Sequence, residues 1–280
     1  LAKLVKSSVV FVMPSYMMRF VQRAEELGID LRNDTNLRLA ILAGEPLAAP
    51  VRKKLEEKTG IKFYDLYGFA EVMSIGGECI QRQGLHIWAD HYLPEIIDLA
   101  TLHPLEPGME GELVITTLTK EAMPLVRYRT GDITKFLTPE PCPCGRTHPK
   151  IEPIRGKIYD IIRTQGRWVL PSDVEDIIIG IPGLGGEYRI IVDEKEEMDS
   201  LKIKAEYQQG ILNLMSLKEK VEATFEQRSS LKCQVELVPL GSLPQTQFKA
   251  QQIIMTYEKV YKDFTPPSLS KKTLVQCDFD

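Results

Sequence analysis

The sequence predicts an α/β protein. A larger domain joins a parallel βαβ sheet to a β-barrel-like antiparallel section, and a small α+β domain follows. Three observations carry this. Short apolar runs alternate with helical periodicities up to Tyr67, and the period then changes to two between Gly84 and Leu137. A Pro/Gly-dense segment over 138–156 separates these from a second set of strands and helices.

Residues 9–13 (Val-Val-Phe-Val-Met) form a short apolar run ended by Pro14, which fits a buried strand. Tyr16, Met17, Phe20, Val21, Ala24 and Leu27 then recur at helical spacing, and Gly28 is the helix stop. Leu37–Ala43 reads as the next strand, with Gly44-Glu45-Pro46 turning out of it. A helix over 48–59 is closed by Gly60, and Ile61–Tyr67 is a third strand broken at Gly68. Ligands of such sheets sit outside the carboxyl ends of the strands, here Gly44-Glu45-Pro46 and Tyr67-Gly68-Phe69-Ala70-Glu71.

Leu85–Trp88, Gly111–Thr117 and Leu125–Arg129 are β-type runs separated by Gly and Pro, which predicts an antiparallel, barrel-like or sandwiched section. Beyond the Pro/Gly segment, Tyr159–Arg163 and Trp168–Leu170 flank a turn at Thr164-Gln165-Gly166. Ser172 and Glu175 form a capping box that starts a helix. Strands over 188–192 and 201–207, a helix over 215–227 and a strand over 233–238 complete the small unit. Leu201, Ile203, Ala205 and Tyr207 mark its one-sided sheet. The expected division is therefore 1–155, 156–264 and a poorly ordered tail over 265–280.

Bulk properties narrow the function. A chain of 280 residues can bury a sizeable core, and a formal net charge of −4 argues against a nucleic-acid surface. No apolar run reaches the roughly 18 residues of a membrane span. The start lacks a signal-peptide pattern. Five cysteines in this length do not make a disulfide scaffold, so a reducing cytoplasm is expected.

The most pointed stretch is Arg127-Tyr128-Arg129-Thr130-Gly131-Asp132, a strand-like run broken by Gly with a carboxylate just past the break. A carboxylate there can accept two hydrogen bonds from a diol such as a ribose. The competing reading is a turn Asp bonded to its own backbone. Likewise Tyr67 has a core reading, Glu71 that of a first-turn helix carboxylate, and Lys249 that of a solvated surface lysine.

Taken together with Leu118–Pro124, Val169–Glu175 and Leu243–Lys249, these stretches resemble the AMP-forming acyl-CoA synthetase (adenylate-forming) superfamily, in its phenylacetate–CoA ligase branch. The resemblance runs in order to about residue 260. It implies a carboxylate attacking the α-phosphorus of ATP to give an acyl-adenylate, followed by a swing of a C-terminal lid domain and transfer to CoA. It places Tyr67 against adenine, Glu71 near Mg²⁺, Asp132 on the ribose and Lys249 on carboxylate and α-phosphate. Gly44, Glu45, Pro46 and Gly68 would line the adenylate site, and Ala43 and Ala70 are further wall candidates for the acyl group. The expected partners are ATP, CoA and an aryl or acyl carboxylic acid, without nucleic acid or membrane, and a homodimer is compatible. The alternatives are a synthetase adenylylating a deazaflavin coenzyme and a non-catalytic interaction remnant of the same fold. A zinc-ribbon nucleic-acid binder is the more distant reading.

The sequence departs from that family pattern in three ways. The Ser/Thr/Gly-rich loop that wraps the phosphates is not found, so the chain reads as the later two-thirds of a ligase, incomplete and inactive as it stands, with sheet surface exposed. At the hinge, Gly156-Lys157-Ile158-Tyr159-Asp160 stands where the family has Gly-Arg-x-Asp-Asp. Lys157 keeps the charge there without the bidentate fork, and Arg155 is the candidate to compensate. Around Lys249, Phe248 stands for Gly and Gln252 for Arg.

Cys142-Pro143-Cys144-Gly145 is a tight thiolate pair on a Pro/Gly loop. With Cys79 and His86 it could complete a structural Zn²⁺ site, His148 being an alternative to His86 and His103 less well framed. The competing reading is a reduced pair without metal.

Overall fold

A computed structural model describes residues 4–45, 49–193, 198–244 and 253–255. Pro46, Lys249 and the tail over 265–280 lie outside the described residues. The first βαβ units are β1 (Val9–Val12), α1 (Pro14–Glu26), the single turn α2 (Leu31–Asp34), β2 (Leu39–Ala43), α3 (Ala49–Thr59) and β3 (Lys62–Phe69). β4 (Met73–Glu78), β5 (Leu85–Ile87), β6 (Tyr92–Ile97), β7 (Gly111–Thr117), β8 (Tyr128–Thr134), β9 (Lys150–Ile151) and β10 (Gly156–Lys157) follow.

β1, β2 and β3 pair in parallel, as the alternation of strand and helix predicts. β4, β5 and β9 then extend this sheet antiparallel, giving the order β1-β2-β3-β4-β5-β9. Met17, Val21 and Ala24 on one stripe of α1 pack against Ala40, Leu42, Ile61 and Phe63. β1 is the sheet edge, and Phe11 on it is 65% exposed.

The second sheet is antiparallel throughout, in the order β10-β8-β7-β6. It corrects the barrel-like expectation: among the described residues β6 and β10 are open edges and the sheet does not close. Its inner residues Ile96, Leu113 and Ile115 instead join Ile75, Leu85 and Ile87 of the first sheet in one core.

From residue 158 a 3-10 turn (Ile158–Asp160) leads into the hairpin β11 (Ile162–Thr164) and β12 (Arg167–Val169), α4 (Pro171–Ile178), β13 (Leu184–Val192), β14 (Leu201–Tyr207), α5 (Leu214–Ser229), β15 (Cys233–Pro239) and β16 (Ile253–Met255). Side chains from Ile162 to Val235 form a core of their own around Val174, Ile190, Leu201, Val221 and Phe225. Leu201, Ile203 and Ala205 face it, as their alternation predicts, while Tyr207 packs at its margin.

Three local expectations differ from the structure. β3 does not break at Gly68 but runs on to Phe69 with a bulge between Tyr67 and Gly68. A Cβ on Gly68 would lie 2.0 Å from the Met73 carbonyl, so glycine permits the close return of β4. α4 starts at Pro171 with Leu170 as N-cap, and Asp173 rather than Glu175 reaches back to the Leu170 N–H at 2.9 Å. The Ser172 hydroxyl is buried without a partner. Tyr159 belongs to the 3-10 turn and not to the hairpin. No helix among the described residues is long and apolar enough to cross a membrane.

One half-buried charge in β3 is costly. Glu78 accepts from the Asp65 backbone N–H at 2.8 Å and pairs with Arg52 at 2.8 Å. Burial first, and the Glu78 charge second, push the Asp65 carboxyl up to about 6. The folded state then holds a proton that the unfolded chain releases near pH 4, so stability falls as pH rises from about 4 to about 6 and stays lower above. Asp65→Asn should be more stable than the parent by on the order of 1–3 kcal/mol at about pH 7.5, with that advantage shrinking towards pH 4. Urea unfolding at the two pH values checks it, and an equal difference at both contradicts the assignment.

Candidate functional site

The carboxyl ends of β2 and β3 lie side by side, because Ala43 pairs with Leu66 at the end of the parallel register. Gly44 and Glu45 therefore turn out of the sheet next to Tyr67 and Gly68. Gly44 makes that turn at φ +86. The Glu45 carboxylate faces back and accepts from the Ser15 N–H at 3.0 Å and the Ser15 hydroxyl at 3.1 Å. It serves the N-terminus of α1, whose first turn has no acid of its own.

Asp132 reaches the same place from the second sheet by way of a bulge. Glu112 pairs with Ile133, yet Val114 pairs with Arg129, so β8 carries two extra residues opposite Leu113. Gly131 supplies the positive φ (+72). The Thr130 hydroxyl donates to the Leu113 carbonyl (2.8 Å) and accepts the Asp132 N–H (3.0 Å). Beneath the bulge Glu112 is fully buried, with one oxygen accepting the Gly131 N–H at 3.0 Å and the other meeting Arg129 Nε at 2.8 Å and Nη2 at 2.6 Å. Sequence reasoning missed Glu112. Its signal was an acid amid the apolar run of β7.

The bulge turns Asp132 inward, where it is 3% exposed. Tyr67 Oη donates to its Oδ2 at 2.5 Å, and Lys157 Nζ pairs with its Oδ1 at 2.6 Å. Burial first, then the Asp132 charge, drive the Tyr67 phenol well above its ordinary range, so it stays a donor. Lys157 arrives through β10, whose register sets Lys157 opposite Asp132, and it also donates to the Thr130 carbonyl at 3.3 Å. Each carboxylate oxygen has a further lone pair, so this arrangement leaves Asp132 acceptor capacity for a diol.

Glu71 lies exposed on the turn from β3 to β4, where it accepts from Tyr128 Oη at 3.2 Å. Phe69 stacks on Tyr128 with centroids 5.6 Å apart and tilts towards Tyr67 at 6.3 Å, so an aromatic row leads from Glu71 to the Asp132 cluster. Arg155 lies differently: its guanidinium bridges Glu110 before the junction and Asp173 beyond it.

The structure also brings Cys79, His86, Cys142 and Cys144 together, with their ligating atoms all within 4.8 Å of one another. His148 is turned elsewhere: its Nδ1 accepts the Ala89 N–H at 3.2 Å, while its carbonyl lies 3.3 Å from His86 Nδ1. Exposed His103 lies apart from this cluster, where its carbonyl accepts the Asp98 N–H at 2.9 Å.

Comparison with known proteins identifies the family. Residues 2–119 match the AMP-binding enzyme family and residues 166–256 match the AMP-binding enzyme C-terminal domain. The phenylacetate-coenzyme A ligase of Thermus thermophilus is 36% identical over 262 residues, covering 86% of this chain and 58% of its own length. A crystal structure of 2-hydroxyisobutyryl-CoA ligase in the postadenylation state, in complex with R3-HIB-AMP, superposes with a TM-score of 0.81 at 28% identity. The match covers 91% of this chain and 56% of that one. The same enzyme with 2-HIB-AMP and CoA in its thioesterification state gives 0.53 at 27% identity, covering 91% and 55%. The chain thus spans about half the length of the curated relatives it matches. It belongs to the adenylate-forming AMP-binding enzymes, in the phenylacetate-CoA ligase-like branch.

The buried carboxylate under the bulge gives a direct expectation. Glu112→Ala leaves the Gly131 N–H without its acceptor and takes the Glu112 carboxylate from Arg129, and should destabilise the fold by ~2–3 kcal/mol. Glu112→Gln keeps a carbonyl acceptor for Gly131 and should lose about half as much. Chemical unfolding of both variants decides, and equal losses would remove Glu112 as the support of the bulge.

Proposed function

We propose that this chain carries the nucleoside side of an AMP-forming carboxylate–CoA ligase, with the part from residue 156 onward as its lid domain. The observation behind the proposal is the convergence of buried Asp132 and Tyr67 at the carboxyl ends of the parallel strands. In this reading Asp132 accepts the two ribose hydroxyls of an adenosine nucleotide and the Tyr67 ring lies against adenine. Lys157 holds the Asp132 charge in place from the hinge.

In the first step an oxygen of the substrate carboxylate forms a bond to the α-phosphorus of ATP. The bond from that phosphorus to the β-phosphate oxygen breaks, and pyrophosphate leaves. In the second, the CoA sulfur, having lost its proton, bonds to the acyl carbonyl carbon, and AMP departs with the electron pair of the broken C–O bond. The substrate is an aryl or acyl carboxylic acid, with Ala43, Gly44, Gly68 and Ala70 as walls of its pocket. Lys249, outside the described residues, is the residue assigned to the reacting carboxylate and α-phosphate.

Exposed Glu71 offers a hard carboxylate oxygen of the kind Mg²⁺ takes together with waters and phosphate oxygens, so the donor fits. When bound, the ion neutralises charge on the phosphates.

The difference between the two superpositions with 2-hydroxyisobutyryl-CoA ligase supports a lid that takes up more than one position. The higher score against the postadenylation structure supports reading the present arrangement as similar to that state of that enzyme.

The nucleoside side can be tested on this chain. AMP should bind measurably by calorimetry, and Asp132→Ala should weaken it by about 10- to 100-fold, the value of one or two hydrogen bonds to a charged acceptor. Unchanged AMP affinity in Asp132→Ala returns that residue to a structural role in its bulge. No binding by the parent chain removes the nucleotide reading.

A further inference from the structure

We infer that Cys79, His86, Cys142 and Cys144 bind one Zn²⁺ in a closed structural site that staples the loop over 138–149 to the turn between β4 and β5. Cys79 Sγ and Cys142 Sγ are 3.7 Å apart, and Cys144 Sγ lies 3.6 Å from His86 Nε2. The edges of a zinc tetrahedron are ~3.8 Å between two thiolates and ~3.6 Å between thiolate and imidazole, given Zn–S of ~2.3 Å and Zn–N of ~2.05 Å. A disulfide would need its sulfurs at ~2.05 Å.

The residues around the four ligands are arranged as a metal site needs. The His86 Nδ1 faces the His148 carbonyl at 3.3 Å, a contact that fixes the tautomer with Nε2 free to ligate. The Gln81 N–H points at Cys79 Sγ (3.4 Å), and Arg146 Nη1 at Cys144 Sγ (3.7 Å), so donors face two of the thiolates. Gly145 takes φ +83 immediately after the second loop cysteine, and its N–H closes a turn on the Cys142 carbonyl at 2.9 Å.

The loop itself supplies the second argument. It contains no helix or strand, and Cys142 is its one buried residue, at 6% exposure. Its base is tied by the Phe136–Ile151 bridge and the Leu137 N–H to Lys150 carbonyl bond, but its tip has no apolar side chain to bury. A loop of this kind has little hydrophobic free energy to offset its ordering entropy. Three soft thiolates and one imidazole select Zn²⁺ over the hard cations, and four protein ligands fill a tetrahedral shell, so the site has no open catalytic position.

The test is metal content, which is independent of any ligase activity. The full chain grown with added zinc and purified without chelator should contain about one zinc per chain. After zinc removal, Co²⁺ should titrate to about one per chain with the intense visible bands and sulfur charge transfer of a tetrahedral thiolate site. Cys142→Ser and Cys144→Ser should lower bound zinc several-fold, while His103→Ala should not. Should the cysteine variants misfold, the parent protein still decides: stripping zinc should lower its Tm and expose the 138–149 loop to protease. Zinc well below one per chain, iron in its place, a Cys79–Cys142 disulfide by mass spectrometry, or zinc-free protein with unchanged Tm and loop protection would each overturn the assignment.

Discussion

The contact on which the rest of the site depends is a single buried carboxylate. Glu112 is cut off from water, and its charge is compensated by Arg129 and by the N–H of Gly131. An N–H at the apex of a bulge has no ladder partner, and a carboxylate beneath it supplies a strong one. Because that bulge exists, Asp132 turns inward to the end of the first sheet and not outward with the normal alternation of β8. Because Asp132 faces inward, Tyr67 has an acceptor and Lys157 a counter-charge. The register of β10 on β8 then sets where the chain leaves for the small domain. Site geometry and domain junction share one constraint.

Other buried acids in this chain are handled differently, and the contrast shows what makes Glu112 structural. Glu206, in the small domain, accepts the N–H groups of Glu187 and Leu243 at 3.1 and 2.8 Å. Burial opposes its ionisation, but those backbone donors with Arg189 nearby hold its carboxyl below the ordinary range. Asp65 accepts one backbone N–H, from Leu66, and has Arg52 nearby, but burial and the Glu78 charge outweigh both, so it is the one pushed up. An acid shielded from water is therefore tolerated in this fold where several backbone donors and a cation meet it, and is a liability where a like charge faces it.

What the sequence made legible is what local periodicity encodes. The βαβ order, α1, and the alternation in β14 follow from spacing alone, and the four members of the cysteine–histidine cluster are marked by residue type and by the tight Cys-Pro-Cys-Gly turn. Features set by non-local contacts were not legible. The pairing of β16 beside β13 joins residues far apart in the chain, and the open edges of the second sheet depend on which strands meet, not on how each alternates. Glu45 looked like a ligand residue because of its neighbours, yet its carboxylate serves a helix N-terminus thirty residues earlier. At α4 the proline at the first helical position moved the cap ahead of Ser172 and made Asp173 the reaching carboxylate.

The junction between the two parts is built from contacts of unequal strength, and their order suits a lid that changes position. Arg155 joins Glu110 to Asp173 across the junction, but all three side chains are about a third exposed or more. Pairs this wet contribute only ~0–1 kcal/mol each, so a reorientation that parts them meets a small barrier in free energy. The Lys157–Asp132 pair is drier on the carboxylate side, and it lies on the near side of the 3-10 turn, in β10. Rotation beyond Lys157 can therefore leave it in place. Upstream, the segment from β9 to β10 is anchored by β9 on β5 and by the Glu152 carbonyl, which accepts the Thr134 hydroxyl. The same short segment emerges from the cysteine loop. A metal there would hold the fixed end of the hinge while the Arg155–Asp173 pair, which alone of the two crosses to the moving side, exchanges. In the proposed reading, the weak pair that crosses the junction sits where a lid would move and the drier one beside Asp132, where the nucleoside would be held.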